Sequence, residues 1–418
     1  MEKSLLLFIL VLNISSLFGF QIEGKLRNEF YYNHYREGLI NYNNLIVNQN
    51  HLSDKDYNFS QFIKMQEDWL SLGLEVDLLM LQEYEKQKWE NNIAVKEAFF
   101  QRNLSDAFDL KVGRFIHQWG TGYAYNPTNF VAPAKNIGDL ENDKNLQEGK
   151  EGIALEYFGL SYSFSLCYFT SVGSNFEFEE NKLACRFYKN IENLDVSLLT
   201  IFQEHRNPGF GANFSTVLGD RLELHGEASL QRGSYRNFHE ILIEQPENQL
   251  FTRFPFTDYN RDSKSFYGKY LLGFQYTFSR RVFCILEYYH QDEGYSKNEW
   301  EQITGHIKTV NQQMSGPMQP LATGNLLWNM NIFSPKGSMR DYLMNYFEYE
   351  IGNSIDLSNV VLFNILDQSF VLIPEIEFRC KHYLKTYIKY YFSAGKKYSE
   401  FGGIYQDSRG ELGLLFYL

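Results

Sequence analysis

The chain has 418 residues, a net charge of −12, and 44% hydrophobic content of which 17% of the chain is aromatic. That charge disfavours nucleic acid as a partner, because grip on phosphate backbones rests on Lys and Arg. Beyond the first few residues there is no apolar stretch near the roughly 20 residues that a membrane-crossing helix needs, and 36 Phe, 30 Tyr and 30 Gly against 9 Pro depart from the aliphatic-rich make-up of a soluble domain.

The amino terminus carries Lys3, then an unbroken apolar run from Leu5 to Leu12, then the small residues Ser15, Ser16 and Gly19. This order predicts a secretory signal peptide over 1–19, cut near Gly19, since the run is too short to span a bilayer as a helix. A buried N-terminal helix is the alternative. Residues 20–418 then form a single domain. Within it, Gly24 to Tyr32 reads as one strand, with Leu26, Asn28, Phe30 and Tyr32 on one side. Its partner falls in 38–48 or 57–66.

Period-two alternation predicts further strands near 68–82, 90–102, 107–117, 151–159, 161–170, 180–189, 193–203, 210–218, 221–231, 265–279, 281–290, 340–351, 356–366, 369–379, 383–393 and 409–418. Connections such as Gly219-Asp220, Arg280-Arg281 and Gly352-Asn353-Ser354 are tight, and between them lie long polar segments at 119–150, 232–264 and 291–339. In 68–82, Glu75 and Asp77 alternate with Leu74, Val76 and Leu78. In 369–379 and just beyond, Glu375, Glu377, Arg379 and Lys381 alternate with Ile376, Phe378 and Cys380. The final strand puts Leu412, Leu414, Phe416 and Leu418 on one side, an apolar stripe that runs to the terminus.

This carboxyl-terminal stripe resembles the closing strand of bacterial outer-membrane β-barrels. A second likeness lies in the hairpin that joins Glu97-Ala98-Phe99 to Gly113-Arg114-Phe115-Ile116-His117-Gln118-Trp119-Gly120, followed by Asn126-Pro127; it is similar to a hairpin of porin-like outer-membrane proteins. The resemblance implies an all-β fold: a transmembrane up-and-down antiparallel β-barrel of about 16–18 strands in the outer membrane of a Gram-negative envelope. It also implies outer-membrane lipid as surroundings and barrel-insertion machinery acting on the C-terminal strand. Even strand counts and alternately short and long connections fit such barrels. A Tyr-rich soluble β-sandwich or β-helix is the alternative on composition alone.

If the hairpin turn is centred near Leu104-Ser105, Val95 faces Arg114 with Glu97 diagonal to it. Two charges among aliphatic residues should pair, or a bulge at Gly113 should turn them inward. Either they set the strand register, or Arg114 orients an anionic solute at a pore mouth. Trp119, Tyr123, Tyr125 and Asn126 begin a loop too rich in rings to float in water. It is expected to fold against the inner wall or the rim. Glu97, Arg114, Trp119, Tyr123, Tyr125 and Asn126 are therefore the constriction candidates. Glu75, Asp77, Glu375, Glu377, Arg379 and Lys381 are the lumen-facing ones, because cations on a lipid face cost ~2–4 kcal/mol at mid-bilayer. Residues 298–336, with Gly316, Pro317, Pro320, Gly324 and Pro335, read as an exposed excursion.

No nucleophile elbow, zinc-protease helix, phosphate loop or Cys/His cluster is visible, so neither catalysis, metal nor cofactor is expected. His117, His225 and His290 read as interfacial, and the four Cys as small strand residues. Two functions remain open: a channel for diffusion of small polar solutes, or a non-transporting barrel with a surface-binding, envelope-assembly or structural role.

Overall fold

In a computed structural model, residues 21–36, 55–69, 72–85, 88–132, 135–137, 139, 147–170, 181–234, 265–312 and 337–417 are described. The expected signal peptide, residues 1–19, lies outside them. Eighteen strands follow in chain order: β1 (Gln21–Tyr35), β2 (Lys55–Trp69), β3 (Leu72–Glu85), β4 (Lys88–Ser105), β5 (Phe108–Phe115), β6 (Lys150–Phe158), β7 (Tyr162–Phe169), β8 (Lys182–Ile191), β9 (Leu194–Gln203), β10 (Arg206–Leu218), β11 (Leu222–Arg232), β12 (Phe266–Ser279), β13 (Val282–Gln291), β14 (Asp341–Ile351), β15 (Ile355–Asn364), β16 (Phe370–Lys381), β17 (Leu384–Ala394) and β18 (Gln406–Tyr417). Each strand pairs antiparallel with its sequence neighbours, and β1 pairs with β18, so the sheet is a closed barrel with no free edge. The segment before residue 68 thus supplies two strands, and the count resolves to 18.

Both described chain ends lie at one end of the barrel, where every connection is two or three residues long, from 70–71 to 382–383. The other end carries the segments 36–54, 116–149, 170–181, 233–265 and 292–340. Long and short do not strictly take turns, since 204–205 is also tight at this second end.

The ladders fix which side chains share a face. One continuous set of rows carries exposed apolar groups outward: Phe100, Ile153, Leu198, Phe210, Leu272, Ile388 and Leu412 are 48–62% exposed. The opposite rows carry Asp77, Glu97, Glu227, Glu287, Glu375, Lys389 and Glu411. Apolar residues turned out and charges turned in is the pattern of a barrel whose solvent is lipid on the outside.

Two local features differ from the sequence reading. The β4–β5 turn is at Asp106-Ala107, so Ala98, not Val95, faces Arg114. The bulge sits at Lys96 of β4, between the pairs Asp77–Glu97 and Leu78–Val95, while Gly113 stays in register opposite Phe99. The second difference is α1 (Lys297–Gln312), a helix where a surface excursion was expected. A capping box starts it: Ser296 Oγ accepts the Glu299 amide at 3.3 Å while Glu299 Oε2 accepts the Ser296 amide at 2.7 Å. Trp300, Ile303 and Ile307 fall on one helical face and are buried at 0–2% exposure.

Candidate functional site: a loop clamped inside the barrel

Past β5, the chain turns into the barrel interior and is held there by two carboxylates from distant strands. Glu227 of β11 accepts the amides of Thr121, Gly122 and Thr128 at 2.5, 2.7 and 2.9 Å and the Thr128 hydroxyl at 2.7 Å. Glu287 of β13 accepts the amides of Tyr123 and Ala124, the latter at 2.9 Å. Both acids are almost fully buried, and converging N–H donors replace the water that each carboxyl group loses there. Gly120, at φ +103°, makes the approach possible: a Cβ on it would lie 2.8 Å from Glu227 Oε1. Asn213 of β10 adds a bond to Thr128 Oγ1 at 2.9 Å, and His225 Nε2 lies 3.0 Å from Glu287 Oε1.

The rings of the loop complete the docking. Tyr125 stacks on Tyr289 with centroids 4.1 Å apart and planes within 6°. Tyr123 lies against Tyr346 at 5.2 Å, and Trp119 is buried beside His117. Lys135 donates to the Gly122 carbonyl at 2.9 Å, and burial pulls its ammonium pKa down.

Towards the long-loop end, α1 and the segment 395–405 close over the same cluster. Trp300 Nε1 donates to the Tyr398 carbonyl at 2.9 Å. Glu400, buried at 2% exposure, accepts from the Ser338 amide, from Tyr342 Oη at 2.8 Å and from Asn364 Nδ2 at 2.6 Å, and its own amide donates to Asp367 Oδ2 at 2.6 Å. Burial, reinforced by Asp367, pushes its pKa up to about 7.

Two cavities border the loop. One, of about 370 Å³, is lined by Asn126, Lys135, Lys150, Lys182, Lys269 and Glu293 among others. Neither amide atom of Asn126 has a protein partner among the described residues. The second, of about 200 Å³, is lined by Tyr123, Asp139, Glu348 and a ladder of ion pairs. Ile137 lines both. In the ladder Lys389 meets Glu375 at 2.7 Å, Lys385 meets Glu377 at 2.9 Å, and Arg379 meets Asp356.

The structure brings Trp119, Tyr123, Tyr125 and Asn126 together on the clamped loop, and it puts Glu375, Glu377 and Arg379 around the cavity that Tyr123 lines. Glu75, Asp77 and Glu97 meet on the inner face of β3 and β4, their carboxylate oxygens within 4.8 Å of one another. Two positions depart from the expected set. Arg114 lies on the outward row with Val112 and pairs with Glu151 at 2.5 Å and with the Val95 carbonyl at 2.9 Å, rather than with Glu97. Lys381 follows a register shift that sets it opposite Leu384, on the outward row. His225 is not interfacial either: it is buried on the inner wall at 3% exposure. Glu227 and Glu287 were not singled out from the sequence. Each is an acid on the inward side of a strand whose partners on the loop lie about a hundred residues or more away.

A closed antiparallel wall, outward apolar rows and a loop held across the lumen define a porin-like barrel. Among solved structures, Pseudomonas aeruginosa OccK11 (OpdR) is similar at a TM-score of 0.57 and 12% identity, covering 96% of each chain. OccK1 (OpdK) of the same organism matches at 0.56 and 10%, and OccK5 (OpdH) at 0.54 and 9%, each covering 96% of this chain and 98% of the other. These likenesses establish the fold. No family model and no curated protein matches the chain.

Proposed function

We propose that the protein is an outer-membrane channel for diffusion of small polar solutes, with the loop residues 116–132 as its constriction. The observation that carries this reading is the Glu227–Glu287 clamp, which holds the loop across the lumen between two polar cavities that share Ile137. A wall that only had to be stable would have no use for a loop fixed in its interior by two buried acids. Asn126 and Lys135 of the loop line one of these cavities beside Lys150, Lys182 and Lys269 of the wall. The ladder of Arg379, Lys385 and Lys389 with Asp356, Glu377 and Glu375 offers both signs of charge, which favours polar or zwitterionic solutes over ions of one sign. One structural neighbour, OpdK, was solved with vanillate.

Export fits the same reading, with a signal peptide cut near Gly19, residence in the outer membrane, and insertion directed by the C-terminal strand. The chain ends and tight turns then face the periplasm. For Arg114, the outward pairing with Glu151 favours the register role over the pore role. The rival function, a non-transporting barrel, draws support from α1 and Glu400, which pack the long-loop end densely. Planar-bilayer recording of the purified protein separates the two: stepwise conductance is expected, and a silent barrel that is correctly folded overturns the channel.

A further inference from the structure

We propose that Glu75, Asp77 and Glu97 form a binding site for a divalent cation of the calcium type, at the root of the loop 116–149. This goes beyond the channel reading and holds whether or not the barrel conducts.

The spacing is the first ground. The ligand oxygens of the three carboxylates lie within 4.8 Å of one another. Oxygens bound to one Ca²⁺ at about 2.4 Å can be no more than about 4.8 Å apart, a condition that the three carboxylates meet. The second ground is Asp77. It is 6% exposed, and its Oδ1 is buried without a hydrogen-bond partner among the described residues. Buried charges in proteins are paired or bind metals, because an isolated one forfeits its hydration.

The neighbours leave carboxylate oxygens unused. Lys64 Nζ takes Glu75 Oε1 at 2.8 Å, and the Ile116 amide donates to Glu97 Oε1 at 2.7 Å. Each of those acids keeps a second oxygen. Register places Glu23, Lys64, Asp77 and Glu97 in one inward row. Lys111, the next cation, sits over the Phe99 ring at 4.0 Å. Four acids thus face Lys64 and Lys111, and negative charge remains in excess. An all-oxygen donor set selects a hard cation. Ca²⁺ accepts irregular geometry completed by water, whereas Mg²⁺ demands a near-ideal octahedron that two strand faces do not supply.

The bulge at Lys96 builds the site. Val95 and Glu97 would share a face in a regular strand, yet Val95 is outward and Glu97 inward because of the extra residue. The same residue holds the far root of the loop: the Lys96 carbonyl accepts the Gly149 amide at 2.8 Å, and Lys96 Nζ lies 3.1 Å from Glu148 Oε1. An ion here therefore pins β3 to β4 where the loop both leaves and rejoins the wall.

The test is calorimetric titration of the detergent-purified, EDTA-stripped protein with CaCl₂ and, separately, with MgCl₂. One saturable Ca²⁺ site is expected, with a Kd on the order of 10⁻⁴ M as in extracellular modules, and Mg²⁺ at least about tenfold weaker. Asp77→Asn should weaken Ca²⁺ about tenfold or more while the gel mobility of the folded barrel is unchanged. If that variant does not fold, Glu97→Gln, which keeps an acceptor for Ile116, is judged by the same criterion. Absence of saturable Ca²⁺ binding in the wild type, equal binding of Mg²⁺, or unaltered affinity in the folded variant overturns the proposal.

Discussion

Tyr387 of β17 reaches over Gly413 of β18 to Glu29 of β1, its hydroxyl 2.5 Å from Glu29 Oε1 and 2.8 Å from Glu411 Oε1. One phenol thus ties three strands at the seam where the first strand meets the last. A Cβ at Gly413 would lie 2.2 Å from the Tyr387 ring, so the contact requires glycine.

Tyr387→Phe should therefore weaken closure specifically. It leaves two buried carboxylates short of a donor, a loss of about 1–3 kcal/mol. The temperature at which the folded gel band converts to the unfolded one is expected to fall, and Gly413→Ala should lower it as well. An unchanged conversion temperature in both variants refutes the seam role.

Glu227→Gln keeps shape but replaces one acceptor oxygen with an N–H donor aimed at other donors. The loop should loosen, with faster hydrogen exchange at Thr121, Gly122 and Thr128 and a larger, noisier single-channel conductance. Exchange at wild-type rates would show that the clamp is not what holds the loop.

Glu400 gives the long-loop end a pH dependence with a definite sign. Its folded pKa, about 7, is above the ordinary carboxylate value near 4.5, so folding favours the protonated form. The stabilisation is fully present below about pH 4.5 and is lost as pH rises through 7. Intrinsically corrected exchange of the Ser338 and Glu400 amides should be slower at pH 5.5 than at pH 8.5. The reverse order would contradict the assignment, and Glu400→Gln should abolish the difference.

Arg114→Ala tests the hairpin. Its pairing with Glu151 lies on the outward face, so refolding yield and heat resistance should drop modestly while ion selectivity stays the same. A shift in reversal potential would restore the pore-mouth role.

The strands were legible because lipid outside demands a regular alternation: Leu412, Leu414 and Phe416 announce a face without any partner being known. The hairpin register was not: the turn falls at Asp106-Ala107 rather than near Leu104-Ser105, and the irregularity between Asn103 and Ser105 that slips every pairing beyond it leaves no compositional mark. Helix α1 did carry a mark in Ser296, Glu299, Trp300, Ile303 and Ile307. The Gly and Pro residues that follow from Gly316 onward drew the whole segment into one irregular reading. The clamp was out of reach for another reason. A hydrogen bond from Thr128 to Glu227 or from Ala124 to Glu287 joins positions that only barrel closure makes neighbours.

The bulge at Lys96 means that the mounting of the inner loop belongs to the sheet and not to the loop. The far root of the loop is thus fixed by a main-chain feature of the eighteen-strand wall. Deleting Lys96 alone would do the opposite: the same loop would be retained, re-aimed, and left without its anchorage.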